Sequence, residues 1–289
     1  MVKVIAPPSV GSVVLFAHST GRNQKSNLRS FRVLNRTPGF EPVQVTTYEF
    51  TDSSFNRKLG VIEGAEDARV FGLKGNQYLY YQTLDEDSTN GLDCDIWIFD
   101  PINQKSRKVI AGLSYNGKNW APFELNDELY FIYSFDPFIV LKANLDGNQE
   151  IICEQIWPKV KVELTNLKWG DSLGYFGPIR GGSQLVPIND HYFIGFTHIT
   201  LPTPLKFSHQ IGVVILDTRS FEYHHKILTD LRYGLLVDPY GIEINANTIS
   251  VSYSYSINRP EDTFSAVGSS TAYFQKERIF SIFQLPDLN

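Results

Sequence analysis

Short runs of alternating or continuous hydrophobic residues recur along the whole chain, and Gly, Asn, Asp or Pro bounds most of them. Alternation with a period of two is typical of half-buried β-strands, and short continuous apolar runs are typical of fully buried ones. The pattern predicts about twenty short strands and almost no amphipathic helix. Ser183–Val186 and Glu277–Leu285 are among the segments predicted as strands.

Turn sequences separate these runs and support the predicted boundaries. Lys74-Gly75-Asn76 and Leu145-Asp146-Gly147-Asn148 each lie between two predicted strands, where they predict hairpins. About twenty strands divide into five four-stranded blades, whereas a β-sandwich would need fewer strands or two domains. We therefore predict an all-β fold, a five-bladed β-propeller, formed by one domain over residues 1–289.

Composition agrees with a large strand-rich core. Aromatic residues make up 13% of the 289 residues, with 20 Phe and 15 Tyr against one Met, and aromatic side chains favour pleated sheets. The net charge of −5 gives no basic surplus, so we expect neither a nucleic-acid partner nor an anionic membrane surface. No signal-peptide pattern or membrane-length apolar run occurs, which predicts a cytoplasmic protein. The two cysteines, Cys94 and Cys153, are interpreted as buried free thiols.

Charged residues inside otherwise apolar strings are informative because burying a charge without a partner is costly. The first such string runs from Ile62 to Phe71 and contains Glu66, Asp67 and Arg69. One interpretation is a turn held by an ion pair. The other is a carboxylate, held by the neighbouring guanidinium, that gives or takes a proton in sugar chemistry.

Three further strings have similar alternatives. One string contains Lys118, Asn119 and Trp120 and runs into a segment with Tyr133. It is either an ordinary hairpin with a core strand, or a sugar site in which polar groups bind hydroxyls or an anion and an aromatic face binds the ring. Arg180-Gly181-Gly182 is either a tight turn or a place where the backbone and a guanidinium approach a ligand. In His191–His198, alternation places Tyr192, Ile194, Phe196 and His198 on one face, so that His198 points into a pocket or is a satisfied structural histidine.

The four strings resemble, in order, the motifs of the five-bladed propeller enzymes of glycoside hydrolase family 130 and the related β-mannosyltransferases. Glu66-Asp67-Ala68-Arg69 is similar to the family's Glu-Asp-Pro-Arg, and Asp238-Pro239-Tyr240-Gly241-Ile242 is similar to its last blade. Ala68 replaces the usual proline, and Pro7-Pro8-Ser9-Val10 stands where the family has Asn-Pro. The resemblance covers nearly the whole chain.

The resemblance implies an enzyme that cleaves or forms β-mannosidic bonds with inversion, using phosphate, a sugar 1-phosphate or a nucleotide sugar. It implies that Asp67 is the general acid, that Glu66, Arg69, Asn119, Trp120 and Tyr133 bind the substrate, and that Lys118, Arg180 and His198 bind phosphate. An oligosaccharide or a sugar phosphate is the implied substrate, with no metal or cofactor. An inverting hydrolase, with Glu124 or Asp136 as base, and a non-catalytic glycan-binding propeller remain alternatives.

Overall fold

The computed structural model describes residues 12–18, 27–35, 43–50, 55–62, 65–84, 94–100, 102–103, 105–113, 119–147, 149–160, 179–202, 207–228, 236–257, 266–285 and 288. Within these ranges the protein is all-β apart from one short helix, as the hydrophobic pattern predicts. In the first sheet and at several strand ends, only the backbone is described. No helix of the described ranges has the length and apolar character needed to cross a bilayer.

The elements are numbered in chain order. They are β1 (Ser12–His18), β2 (Asn27–Asn35), β3 (Val43–Phe50), β4 (Phe55–Ile62), β5 (Ala65–Leu73), β6 (Asn76–Leu84), β7 (Cys94–Asp100), β8 (Lys105–Ile110), β9 (Ala121–Leu125), β10 (Glu128–Phe135), β11 (Phe138–Asn144), β12 (Glu150–Trp157), β13 (Ile179–Gly181), β14 (Val186–Pro187), β15 (Tyr192–Pro202), β16 (Phe207–Asp217), β17 (Glu222–Ile227), β18 (Leu236–Ile244), β19 (Thr248–Ile257), β20 (Ala266–Gln275) and α1 (Lys276–Ser281).

The described strands form four sheets built from consecutive antiparallel meanders. The first sheet has the order β1-β2-β3-β4, and the fourth has the order β18-β19-β20. The third has the order β13-β15-β16-β17, with β14 also paired to β15. The second has eight strands because two meanders, β5–β8 and β9–β12, join through a parallel pairing of β8 with β12.

The strands that open the meanders lie close to one another. β5 contacts β1, β9 and β18, while β18 also contacts β1 and β15, and β13 contacts β10. β5 and β9 are the two end strands of the eight-stranded sheet, so this sheet is nearly closed on itself. Residues that open the meanders are therefore brought from distant parts of the chain toward a common region.

Among the described side chains, three hydrophobic clusters pack within or between the second, third and fourth sheets. The first lies inside the eight-stranded sheet, the second joins the third and fourth sheets with α1, and another joins the second and third sheets. On β15, Tyr192, Ile194 and Phe196 belong to the second cluster, as the predicted alternation requires, while Phe193 belongs to the cluster on the opposite face. Both faces of this strand are buried, which explains its continuous apolar character.

Two strand predictions are wrong, and two of the described strands, β4 and β13, were not predicted. Glu277–Leu285 forms the helix α1 and a turn, because Ile279, Phe280 and Phe283 lie on a helical face that packs into the second cluster. Ser183–Val186 is mostly irregular between β13 and β14, because the Ser183 hydroxyl donates to the carbonyl of its neighbour Gln184. β4 was not predicted, since its polar residues interrupt the alternation.

The described cysteine agrees with the interpretation as a free thiol. Cys153 is free and buried on β12, and burial raises the pKa of its thiol to about 12, so the thiol stays protonated at neutral pH. The side chain of Cys94 lies outside the described part of the structure.

His225 links three strands of the third sheet. Its Nε2 makes a 2.8 Å hydrogen bond with the Thr197 hydroxyl, and the imidazole passes over Gly212, where any side chain would collide with it. Burial lowers the pKa of His225 to about 4, from about 6.5 in the unfolded chain. The imidazole is therefore neutral in the folded protein at neutral pH.

We predict that this histidine makes the protein less stable in mild acid. Because the unfolded chain takes up the proton first, the free energy of unfolding should be unaffected above about pH 6.5 and fall as the pH drops from there toward about 4. Urea unfolding at pH 7.5 and pH 5 should show a loss of about 1–2 kcal/mol that His225→Gln removes. An equal loss in the variant would assign the acid sensitivity to other groups.

Candidate active site

The first predicted site motif lies on β5 at a break in the sheet register. Glu66 pairs with Gln82 and Arg69 pairs with Tyr80, so Asp67 and Ala68 together oppose a single position on β6. This two-against-one arrangement is a β-bulge, which re-aims side chains and occurs often beside active sites. The side chains of Glu66 and Asp67 lie outside the described part of the structure, so the acid role of Asp67 stays a prediction.

Arg69 is the described charged group of this motif, and it is almost completely buried, with 2% exposure. Its Nη2 donates a 2.9 Å hydrogen bond to the Oδ1 of Asn119, and its guanidinium carbon lies 5.7 Å from the centre of the Tyr80 ring. Nε and Nη1 have no hydrogen-bond partner among the residues that the structure describes. A buried guanidinium with open donors can bind a carboxylate, a phosphate or a sugar oxygen.

Asn119 connects the first motif to the second. It has a left-handed backbone with φ of 63° and only 7% exposure, which suits an asparagine because its short polar side chain tolerates this region. Its side-chain oxygen accepts the hydrogen bond from Arg69. Its predicted direct contact with substrate stays untested.

The two aromatic residues predicted to bind sugar are core residues. Trp120 has 0% exposure and packs against Phe131 and Tyr133, and Tyr133 itself has 4% exposure. The backbone N–H of Trp120 donates to the Tyr80 hydroxyl at 3.1 Å. The buried ring of Trp120 packs in the core beside the turn that carries Asn119, and the predicted contact of Trp120 and Tyr133 with a sugar stays untested.

The paired glycines of the third motif serve contact between sheets. A side chain at Gly181 would collide with the carbonyl of Asn119 and come within 3.1 Å of the Ala121 nitrogen. A side chain at Gly182 would collide with Pro239 on β18. The glycines therefore permit close contact with neighbouring strands and not with a ligand. These contacts bring the segments of Asn119, Phe196 and Pro239 close to Arg180.

Arg180 and His198, both predicted to bind phosphate, are direct partners in the pairing of β13 with β15. Directly opposed residues of an antiparallel pair project on the same face. His198 is 3% exposed, and its Nδ1 lies 3.7 Å from the Oδ1 of Asp238 on β18, which is 35% exposed. The structure thus brings two predicted phosphate ligands together beside a carboxylate.

Sequence analysis missed two residues of this arrangement. Asp238 was noted only as part of the last blade, although its position directly before Pro239 and Tyr240 was a usable signal. Tyr80, the partner of both Arg69 and the Trp120 backbone, looked like any aromatic residue of a core strand. The predicted ligand Lys118 and the segment Pro7-Pro8-Ser9-Val10 lie outside the described residues.

The two carboxylates considered as hydrolytic bases differ in their surroundings. Glu124 accepts a 2.8 Å hydrogen bond from the backbone N–H of Lys74 and so closes the contact between the β5–β6 turn and β9. Asp136 lies in the exposed turn before Pro137. Within the described ranges, no three His, Cys, Asp or Glu side chains come together as a metal site would require.

The chain is similar in sequence to one type of mannosyltransferase. No protein-family model matches it. It is 26% identical over 226 residues to beta-mannosyltransferase 2 of Komagataella phaffii, in an alignment that covers 72% of this chain and 33% of that protein. The chain thus spans about a third of the length of the curated relatives it matches.

Solved structures of carbohydrate-active enzymes share its fold. A GDP-Man-dependent mannosyltransferase from Leishmania mexicana has a TM-score of 0.51 at 12% identity, covering 85% of this chain and 87% of that one. A beta-1,2-mannobiose phosphorylase from Listeria innocua has a TM-score of 0.52 at 12% identity, with 96% and 94% coverage. A GH43_1 enzyme from Xanthomonas citri reaches 0.56 at 10% identity, with 94% and 90% coverage. At these identities the likeness concerns the fold.

We predict that the Arg69–Asn119 hydrogen bond, and not the turn alone, stabilises this region. Asn119→Gly permits the left-handed backbone but removes the acceptor, which leaves a buried charged donor unpaired and should lower the free energy of unfolding by about 1–3 kcal/mol. Asn119→Asp permits the backbone and keeps an acceptor, so it should stay close to the native value. Urea unfolding of both variants tests this, and equal losses would show that the acceptor does not account for the stability of this region.

Proposed function

We propose that the chain is a single β-propeller domain of five blades and a carbohydrate-active enzyme that forms or cleaves β-mannosidic bonds with inversion. The five meanders, four of which have first strands that adjoin, support the blade count, as do the five-bladed propellers among its structural neighbours. The site observation that carries the proposal is the convergence of Arg69, Asn119, Arg180 and His198 from separate strands. The cytoplasmic location stays a prediction from sequence.

Asp67 is the general acid in this proposal. When a β-mannosidic bond is cleaved, its carboxyl proton passes to the leaving oxygen while the nucleophile attacks the anomeric carbon from the opposite face, which inverts that carbon. In the synthetic direction, the carboxylate takes the proton from the acceptor hydroxyl. Arg69 fixes the carboxylate by its charge, and the bulge at Asp67 and Ala68 aims this part of β5.

An anion site beside the acid favours phosphate chemistry over hydrolysis. Arg180 and His198 are paired across β13 and β15, and Lys118 is the third cation of the proposed site. A guanidinium and an imidazolium stabilise a phosphate, whether it is free, part of a sugar 1-phosphate or part of a nucleotide diphosphate. Glu124, a candidate for the base that a hydrolase needs, is already engaged by the Lys74 backbone.

Mannosyl transfer is the favoured direction because the relatives named above include a beta-mannosyltransferase and a GDP-Man-dependent mannosyltransferase. The proposed donor is therefore GDP-mannose or mannose 1-phosphate, and the acceptor is a saccharide. No metal or cofactor takes part in the proposed reaction, since the acid supplies the proton and the cations stabilise the leaving phosphate.

The test is product formation by wild-type protein and by Asp67→Asn. The protein is incubated with GDP-mannose or mannose 1-phosphate and a panel of saccharide acceptors, and in parallel with β-mannosides and phosphate. Asp67→Asn keeps the shape of the side chain but cannot donate a proton, so turnover should fall by about 10²–10⁴-fold. Asp127→Asn, in an exposed turn with φ of 62° that asparagine tolerates, is the matched control and should retain activity.

Three results would contradict the proposal. Turnover by Asp67→Asn at the wild-type rate would show that Asp67 is not the proton donor. Release of free sugar without any dependence on phosphate or a phosphorylated donor would indicate an inverting hydrolase. Saccharide binding by the wild-type protein without turnover in any assay would indicate a non-catalytic glycan-binding propeller.

A further inference from the structure

We propose that Asp238 is the positioning residue that keeps His198 in its charged form and so makes the Arg180–His198 pair an anion site. This inference deepens the proposed function, on which its meaning for catalysis rests. Asp238 acts through His198, and its own contact with substrate is not required.

The carboxylate of Asp238 lies close enough to the imidazole of His198 to affect its protonation. His198 is 3% exposed, and its Nδ1 lies 3.7 Å from the Asp238 Oδ1. Asp238 is 35% exposed, so its carboxylate keeps part of its hydration while facing a nearly buried ring. A carboxylate at this distance favours the imidazolium over the neutral ring.

Among the described residues of the strands paired with β15, those opposite His198 are not carboxylates. On β13 the residue opposite His198 is Arg180, and on β16 it is Ile211, while β14 consists of Val186 and Pro187. Arg180 is positive and by itself disfavours a positive charge on His198. Among the described neighbours, Asp238 is therefore the group that offsets both the burial of the imidazolium and the repulsion from the guanidinium.

The position of Asp238 is fixed by packing at the next residue. Pro239 lies against Gly182, where any side chain would collide with the Pro239 ring, and a built side chain would also come within 2.7 Å of the Phe196 carbonyl. Gly182 follows Arg180 by two residues, and Phe196 precedes His198 by two. The same contact thus sets the spacing of Asp238 from both members of the pair, because it joins β18 to the end of β13 and to the middle of β15.

The chemical consequence is a site that binds an anion at neutral pH. With His198 protonated, Arg180, His198 and Asp238 together carry one net positive charge, and the two cations face the same side of the sheet. If Asp238 loses its charge, the ring becomes neutral at lower pH, and the imidazolium contribution to phosphate binding is lost. Phosphate affinity should then decline over a lower pH range than in the native protein.

The experiment compares Asp238→Asn, Asp238→Glu and Glu243→Gln, the last being a charge-removing control farther along β18. NMR spectra of the histidine rings, with His198 assigned by the signal lost in His198→Gln, report its protonation between pH 5.5 and 8.5 without any substrate. Calorimetry with inorganic phosphate over the same range reports anion binding. Thermal unfolding shows whether each variant is folded.

In Asp238→Asn, we expect the midpoint of His198 protonation to fall by about one pH unit and the loss of phosphate affinity with rising pH to move to lower pH by the same amount. Asp238→Glu should restore most of both properties, and Glu243→Gln should change neither. An unchanged His198 titration in folded Asp238→Asn would overturn the inference, whether or not the protein proves to be an enzyme. A shifted titration in a protein without any transferase or phosphorylase activity would support the inference and refute the proposed function.

Discussion

The structure around the candidate site depends on backbone contacts that only glycine permits. Gly181 lies against the carbonyl of Asn119, and Gly182 lies against Pro239, so the short strand β13 touches segments from the second and fourth sheets. Both contacts are too close for a Cβ atom. Because Arg180 and Asn119 are carried by these touching segments, the distance between the two halves of the site is set by packing of the backbone.

Electrostatics at the site follow from this packing. Arg69 is buried, where its guanidinium donates a hydrogen bond to Asn119 and lies over the ring of Tyr80. His198 on β15 lies close to the carboxylate of Asp238 on β18. Arg69 and His198 thus each have a polar or negative partner on an adjacent element, which offsets part of the cost of burying their polar groups. Such groups are held in place before any ligand arrives, and preorganised charge is what stabilises a transferring phosphate most effectively.

Individual residues show how far sequence can reach. The strand of Tyr192 and its alternating neighbours was predictable because both of its faces are apolar and its turns contain Asn and Asp. The C-terminal segment with Phe280 was mistaken for a strand because a short apolar run does not separate helix from strand. The complete burial of Trp120 could not be predicted, because sequence reveals a side chain's chemistry but not its burial.

The sequence by itself determined the all-β class, the order of the motifs and the presence of cations in otherwise apolar strings, since these depend on local alternation and residue type. Tertiary structure alone decided that Arg69 meets Asn119, fifty residues away, and that Asp238 meets His198. The physical reason is that such partners share no local pattern. Which residues become partners depends on how the sheets pack, and here Gly181 and Gly182 allow the sheets to approach closely.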